Sequence, residues 1–153
     1  MELSEEDLQW SKEIIKKTEL FDTCTAGELN ELYDGLEKKR YNSGSTILFQ
    51  GEISSRLCLV ETGKVSINVR SGKEKAKVAE LGPTNYFGEI SLLTPRAATA
   101  TVRAVEDSDI VFVPGEVVQA IVNKNPVLAE MINKKISDRL ADQKKQSSDR
   151  NHH

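Results

Sequence analysis

The stretch Phe-Gly-Glu-Ile-Ser-Leu-Leu-Thr-Pro-Arg-Ala-Ala-Thr-Ala-Thr-Val-Arg-Ala, residues 87–104, decides how this chain of 153 residues is interpreted. It fits neither the period of a regular strand nor that of a regular helix. Gly88 lets the backbone approach a ligand closely, and the small residues that follow Arg96 leave backbone N–H groups open to an anion. The segment is therefore typical of a turn that holds a phosphate group.

Short runs of β-forming residues lie on both sides of this segment. They cover residues 46–49, 57–60, 65–69, 78–81, 101–105 and 110–113, and Gly, Ser, Asn or Pro separates them. Several short strands at regular spacing favour a barrel or a jelly roll. We therefore predict a mainly β fold with flanking helices.

The flanking helices are predicted from apolar spacing and from capping signals. Ser4 followed by Asp7, and Thr25 followed by Glu28, form capping boxes that begin two N-terminal helices. The first is predicted over residues 3–20, and the second ends near residue 37. After the strands, helical spacing returns over residues 117–122 and 127–140.

Composition and charge narrow the class of protein. The net charge of -3 gives no general electrostatic reason to bind nucleic acid or an anionic membrane. No apolar run approaches the ~20 residues of a membrane span, and the acidic N-terminus is unlike a secretion signal. Cys24 and Cys58 lie on unrelated segments without metal-ligand spacing. We therefore expect both to be reduced thiols, as is usual in cytoplasmic proteins. We predict a cytoplasmic protein without a membrane partner.

The stretch 87–104 resembles the phosphate-binding cassette of cyclic-nucleotide-binding domains, the sensor modules of catabolite-activator-type regulators, cyclic-nucleotide-dependent kinases and gated channels. Segments 20–21, 41–52, 57–65 and 81–89 resemble the same family in the same order. The resemblance covers residues 17–140 and implies a jelly-roll-like β-roll with N-terminal and C-terminal helices. It divides the chain into an N-terminal helical extension, residues 1–16, a cyclic-nucleotide-binding-like domain, residues 17–141, and a disordered tail or tag, residues 142–153.

The resemblance also implies which residues bind the ligand. Gly88 would contribute backbone, Glu89 would accept the ribose 2′-hydroxyl, and residues 90–93 would form a short helix whose N–H groups face the phosphate. The full set of predicted ligand-binding residues is Phe87, Gly88, Glu89, Ile90, Ser91, Arg96, Ala97, Ala98, Thr99, Ala100 and Arg103.

The position of the arginine departs from the family pattern. The phosphate-pairing Arg of the family immediately precedes a small-Ala-Thr-Val run, which here is residues 99–102, and the residue before it is Ala98. Arg96 stands two residues earlier. A shifted alignment instead sets residues 96–99 against the Arg-Ala-Ala-Thr of kinase regulatory subunits. Removing an arginine that pairs a partly buried phosphate costs about 2–5 kcal/mol, so the ungapped alignment implies weak binding or a changed ligand.

A non-enzymatic nucleotide sensor is the function that these observations favour. The histidines are terminal, and no Gly-Lys-Ser/Thr loop, metal-ligand cluster or catalytic triad occurs, so we expect no catalysis, cofactor or metal. The predicted ligand is cyclic AMP or cyclic GMP. By resemblance to guanine-selective members of the family, Thr99 favours cyclic GMP over cyclic AMP. Cyclic di-GMP is an alternative ligand, because Arg96 and Arg103 can each pair with a guanine edge. A purely structural or protein-interaction domain is the further alternative.

The resemblance implies a switch as well as a site. The C-terminal helices would shift when ligand binds, and residues 127–140 would either cover the barrel or form the seam of a homodimer. A downstream protein partner is compatible with this mechanism. Direct DNA binding is not expected, because only 13 mostly polar residues follow Leu140.

Overall fold

The computed structural model describes residues 2–88 and 92–150, with ten strands and four helices in those ranges. The helices are α1 (Glu5–Thr18), α2 (Ala26–Asp34), α3 (Gly115–Lys124) and α4 (Pro126–Arg150). The strands are β1 (Glu37–Tyr41), β2 (Thr46–Leu48), β3 (Ile53–Ser54), β4 (Arg56–Thr62), β5 (Val65–Ser71), β6 (Glu74–Leu81), β7 (Tyr86–Phe87), β8 (Arg96–Ala97), β9 (Thr101–Ala104) and β10 (Ser108–Pro114).

The strands form a jelly-roll-like β-roll of antiparallel sheets. One sheet has the order β1-β10-β4-β7, and the second has the order β2-β9-β5-β6. A two-stranded ribbon joins β3 to β8, with Ile53 opposite Ala97 and Ser54 opposite Arg96. The predicted mainly β fold with flanking helices is confirmed.

Strand β4 separates two apolar cores because successive side chains point to opposite faces of a sheet. Leu57 and Leu59 pack with the helices in the first core. Cys58 and Val60 pack between the two sheets in the second core, together with residues such as Val102. The second core fills the roll behind the predicted binding segment.

The helices close the first core from one side of the roll. Both predicted capping boxes are present, with the backbone N–H of Asp7 donating to the Ser4 hydroxyl over 3.0 Å. Glu28 and Thr25 repeat the arrangement at the start of α2. The apolar stripe of α4 divides, since Leu128, Ile132 and Ile136 are buried in the core while Val127 and Met131 are exposed.

Helix α4 also contacts two elements far from it in sequence. The guanidinium of Arg139 lies 5.1 Å from the centre of the Tyr86 ring, and one of its nitrogens donates to the carbonyl oxygen of Thr18. These contacts attach the second half of α4 to β7 and to the end of α1.

The structure differs from the sequence prediction in two places. Residues 142–150, predicted as a disordered tail, have helical backbone and extend α4 to Arg150. The disordered tail was predicted because these Asp, Gln, Lys and Ser residues include no apolar side chain that could anchor the segment. Gln and Lys nevertheless favour helical backbone. The second helix ends at Asp34, and the charged segment Glu37–Tyr41 forms β1 by pairing with β10. Within the described residues, no helix combines the length and apolarity needed to cross a membrane.

Candidate functional site

A cavity of about 230 Å³ opens between the sheets beside the segment singled out in the sequence. It brings together seven of the predicted ligand-binding residues, namely Phe87, Gly88, Arg96, Ala97, Ala98, Thr99 and Ala100. Its remaining lining residues are Leu48, Ser54, Arg56, Cys58, Ile67 and Val102. The segment and the roll interior therefore form one concave site.

The floor of this cavity is apolar. Leu48, Ile67 and Val102 come from β2, β5 and β9, and Cys58 and Phe87 come from β4 and β7. An apolar slot bordered by a few polar groups is the usual environment for a flat, partly polar ligand. The arrangement suits a nucleobase or a similar ring.

Gly88 lies at the point where β7 leaves the sheet. Its φ of +90° is a left-handed conformation that residues with a side chain rarely adopt. A Cβ at this position would lie 2.4 Å from the carbonyl oxygen of Arg56, which is far inside contact distance. Glycine is therefore required both by the backbone angle and by the approach of β4.

The next three residues of the segment, Glu89, Ile90 and Ser91, lie outside the described residues. The predicted ribose contact of Glu89 and the predicted short helix over residues 90–93 thus stay predictions. The chain is described again from Leu92, which is buried in the helical core.

The small-residue run is held by backbone hydrogen bonds to the loop between β2 and β3. The N–H of Ala98 donates to the carbonyl oxygen of Glu52 over 2.8 Å, and the N–H of Gly51 donates to the carbonyl oxygen of Ala98 over 2.8 Å. Ala98, the residue at the arginine position of the ungapped alignment, is thus fixed at the cavity wall without a charged side chain.

The two predicted arginines lie on different surfaces. Arg96, on β8, lines the cavity and has an exposed side chain. Arg103, on β9, lies opposite Thr46 and Ser66 and lines a separate outer groove with Arg70, Lys75 and Lys77. The structure therefore brings Arg96 to the cavity and does not bring Arg103 there.

Arg56 is a cavity residue that the sequence analysis did not select. It is half-buried at the start of β4, and its guanidinium carbon lies 4.2 Å from the centre of the Phe112 ring. Burial raises the pKa of Tyr41, and the charge and hydrogen bond of Arg56 oppose this rise. Burial likewise raises the pKa of the Cys58 thiol to about 12 against the effect of Arg56. The sequence did contain a signal for Arg56. Side chains alternate between the two faces of β4, so Arg56 lies on the same face as Cys58 and Val60.

A larger cleft of about 630 Å³ lies next to this cavity and shares Ser54 and Arg56 with it. Its other walls come from the end of α2, the end of β10 and the start of α3. Four carboxylates line it, those of Asp34, Glu37, Glu52 and Glu116. This cleft is acidic and lacks the small-residue segment, so the smaller cavity is the site that fits an anionic ligand.

Comparison with known families agrees with the fold. The family model "cyclic nucleotide-binding domain" matches residues 38–125, more than half of the chain. This protein belongs to the cyclic nucleotide-binding domain family.

The chain is also similar to part of several longer proteins. The chain is 32% identical over 126 residues to a cGMP-dependent protein kinase of Plasmodium berghei, covering 82% of this chain and 14% of the kinase. It is 29% identical over 127 residues to the cyclic AMP receptor protein of Thermus thermophilus, covering 82% of this chain and 59% of that protein. The chain therefore spans less than two thirds of the length of these curated relatives.

A solved structure gives the same result for the fold. The N-terminal domain of a transcriptional regulator from Streptomyces coelicolor superimposes with a TM-score of 0.67 at 25% identity. The match covers 84% of this chain and 90% of that domain. The β-roll with its flanking helices is thus an architecture known from experiment.

Proposed function

We propose that this protein is a non-enzymatic sensor that binds a cyclic mononucleotide, cyclic AMP or cyclic GMP, in the cavity beside Gly88. The supporting observation is the meeting of an apolar floor, a glycine with left-handed backbone and a fixed run of small residues around about 230 Å³. The floor would take the base, and backbone N–H groups with an arginine would take the phosphate. Membership of the cyclic nucleotide-binding domain family supports the same assignment.

The size of the cavity favours one nucleotide over two. Cyclic di-GMP contains two guanosine units, and the second unit would have to lie on the exposed side of Arg96 or beyond the cavity. Arg103, which was a candidate for guanine recognition, faces the outer groove. Cyclic di-GMP is therefore the less favoured ligand, and Thr99 remains the reason to test cyclic GMP alongside cyclic AMP.

Thermal unfolding with each nucleotide tests the proposal. A ligand at a hundred times its Kd stabilises the folded protein by about 2.7 kcal/mol, which raises the melting temperature by several degrees. We expect this shift with cyclic AMP or cyclic GMP and a smaller one with cyclic di-GMP. The proposal is wrong if none of the three changes the melting temperature at millimolar concentration, and the structural or protein-interaction alternative then becomes the better one.

We further propose that ligand binding acts through α3 and α4 and that the exposed side of α4 supports a homodimer. Val127 is 62% exposed and Met131 is 41% exposed, although the same helix buries Leu128 and Ile132. Exposed apolar side chains one turn apart fit a self-complementary helix pair. Sedimentation of the wild type and of Met131→Glu tests the homodimer. We expect the wild type to sediment as a dimer and Met131→Glu as a monomer. A monomeric wild type would exclude the homodimer.

The cellular setting is part of the same proposal. We propose that the protein acts in the cytoplasm, where cyclic nucleotides are produced and read, and that it passes the signal to a protein partner without contacting DNA through the residues described here. The test is retention of the protein on immobilised DNA with and without cyclic nucleotide. Specific retention would overturn the proposal that the protein does not contact DNA.

A further inference from the structure

We propose that Arg56, on strand β4, supplies the positive charge that pairs with the phosphate of the ligand in place of an arginine in the small-residue run. This inference rests on the proposed function, because it assigns a residue to the same cavity. It follows from three features of the described residues: the neutral side chain of Ala98, the exposed position of Arg96, and the half-buried position of Arg56.

The first feature is that the run itself cannot deliver a charge at residue 98. The backbone of Ala98 is fixed by two hydrogen bonds of 2.8 Å, to Glu52 and from Gly51. These bonds set the register of the run against the loop after β2. Residue 98 is therefore held at the cavity wall with a neutral side chain, and a positive charge for the phosphate has to come from another residue of the cavity.

The second feature is the environment of Arg96. Its side chain is exposed at the mouth of the cavity, where water screens its charge. An exposed ion pair contributes only about 0–1 kcal/mol. Arg96 is thus in a poor position to give the strong contact that a partly buried phosphate requires.

The third feature is that Arg56 is half-buried and forms no ion pair with any carboxylate in the described ranges 2–88 and 92–150. A buried or partly buried charge is normally paired, because its removal from water is costly. Arg56 is instead held by the Phe112 ring and by Tyr41. Its planar guanidinium is fixed in position while its charge is available to an anion.

The place of Arg56 also fits the position expected for the phosphate. Its carbonyl oxygen closely approaches Gly88 at the opening of the segment, and Arg56 lines the same cavity as Ala98, Thr99 and Ala100. An anion held by the backbone of the small run would therefore lie between that run and β4. Arg56 can then provide two parallel N–H donors to it.

The test compares glutamine variants of two cavity arginines by calorimetric titration with cyclic AMP and with adenosine, which has the same base and ribose but no phosphate. We expect Arg56→Gln to weaken cyclic AMP binding by at least tenfold and to change adenosine binding by less than twofold. Arg56→Lys should lie between the wild type and Arg56→Gln, because lysine keeps the charge and loses the planar donors. Arg70→Gln is the matched control, because Arg70 lines the outer groove and not the cavity, and it should change both affinities by less than twofold. Arg96→Gln, the other cavity variant, should weaken cyclic AMP binding less than Arg56→Gln does.

The outcomes separate this inference from the proposed function. If the wild type binds cyclic AMP and Arg56→Gln binds it equally well, or if Arg96→Gln shows the larger loss, the role of Arg56 is disproved and the sensor function stands. If the wild type binds neither cyclic AMP nor cyclic GMP, both proposals fail. If Arg56→Gln does not fold, the affinity of Arg56→Lys for cyclic AMP is measured in its place. The inference is overturned if Arg56→Lys binds cyclic AMP as tightly as the wild type and Arg96→Gln binds it more weakly.

Discussion

The carbonyl oxygen of Arg56 lies 2.4 Å from the point where a Cβ on Gly88 would stand. We predict that Gly88→Ala lowers the free energy of unfolding by more than the roughly 1–2 kcal/mol of left-handed strain alone, because β4 must also move away. Urea denaturation measures the loss. Nucleotide affinity should fall with it, since the same displacement changes the cavity wall.

Gly44 provides the matched control for this prediction. It has a φ of +89°, almost the same as that of Gly88, and no atom lies within 4 Å of its hypothetical Cβ. Gly44→Ala should therefore show the conformational strain without the clash. Equal losses of stability in the two variants would show that the approach of β4 to Gly88 has no energetic weight.

A second prediction concerns the ammonium of Lys38, which lies 3.0 Å from Asp7 and 2.9 Å from Glu61. Burial raises the pKa of Asp7, but the hydrogen bonds from Ser4, Glu61 and Lys38 outweigh it and hold that pKa below its ordinary 3.8. Because the folded pKa is the lower one, Asp7 stabilises the fold above the unfolded pKa and loses this contribution as the pH falls. Asp7→Asn should lower stability at neutral pH by about 1–3 kcal/mol.

The pH dependence of the difference is the decisive measurement for this cluster. The gap in free energy of unfolding between wild type and Asp7→Asn should be full near neutral pH and should shrink as the pH falls below about 4. Burial raises the pKa of Glu61, so Glu61 titrates with the opposite sign and cannot produce this shrinkage. A gap that is constant with pH would contradict the assigned ion pair.

A third prediction concerns the two thiols. Burial raises the pKa of Cys24 to about 11, with Glu28 adding to the effect, and raises that of Cys58 to about 12. The thiolate is the reactive form, so both should react slowly in the folded protein, and Cys58 more slowly than Cys24, because Cys58 is buried and Cys24 only partly so. Labelling of Cys24→Ser and of Cys58→Ser with a chromogenic disulfide measures each rate. Faster reaction of Cys58 would show that the second core opens readily.

A fourth prediction concerns Arg139, which joins α4 to Tyr86 and Thr18. We expect Arg139→Ala to cost about 1–2 kcal/mol and to speed amide exchange in the second half of α4. Lys134→Ala is the control, because Lys134 is exposed on the same helix. Equal exchange in the two variants would mean that the buried side chains alone hold α4 in place.

The sequence predicted those parts of the fold that local chemistry determines. The capping boxes at Ser4 and Thr25 depend on neighbours three residues away, and both are present. Runs such as residues 57–60 carry enough β-branched and apolar content to identify β4. The segment beside Gly88 could be singled out for the same reason, because its small residues are contiguous in sequence, and its role in ligand binding stays a prediction.

The missed features depend on partners distant in sequence. Strand β1 consists mostly of charged residues and exists because its backbone pairs with β10, about seventy positions later. Strands β3 and β8 are two residues long and stabilise each other only across the fold. Arg56 was missed because its position at the cavity depends on Phe112 and on Gly88, and neither is adjacent to it in sequence.

The attachment of Arg139 to Tyr86 places the far end of the chain one residue away from the cavity wall, since Phe87 follows Tyr86 in β7. The two side chains lie on opposite faces of β7, since Tyr86 packs against the helical core and Phe87 lies in the core between the sheets. The last turns of α4 continue eleven residues beyond Arg139, to Arg150. Strand β7 therefore contacts both the cavity and the C-terminal helix, so it is a direct structural path by which the proposed response of α4 to a ligand would be transmitted.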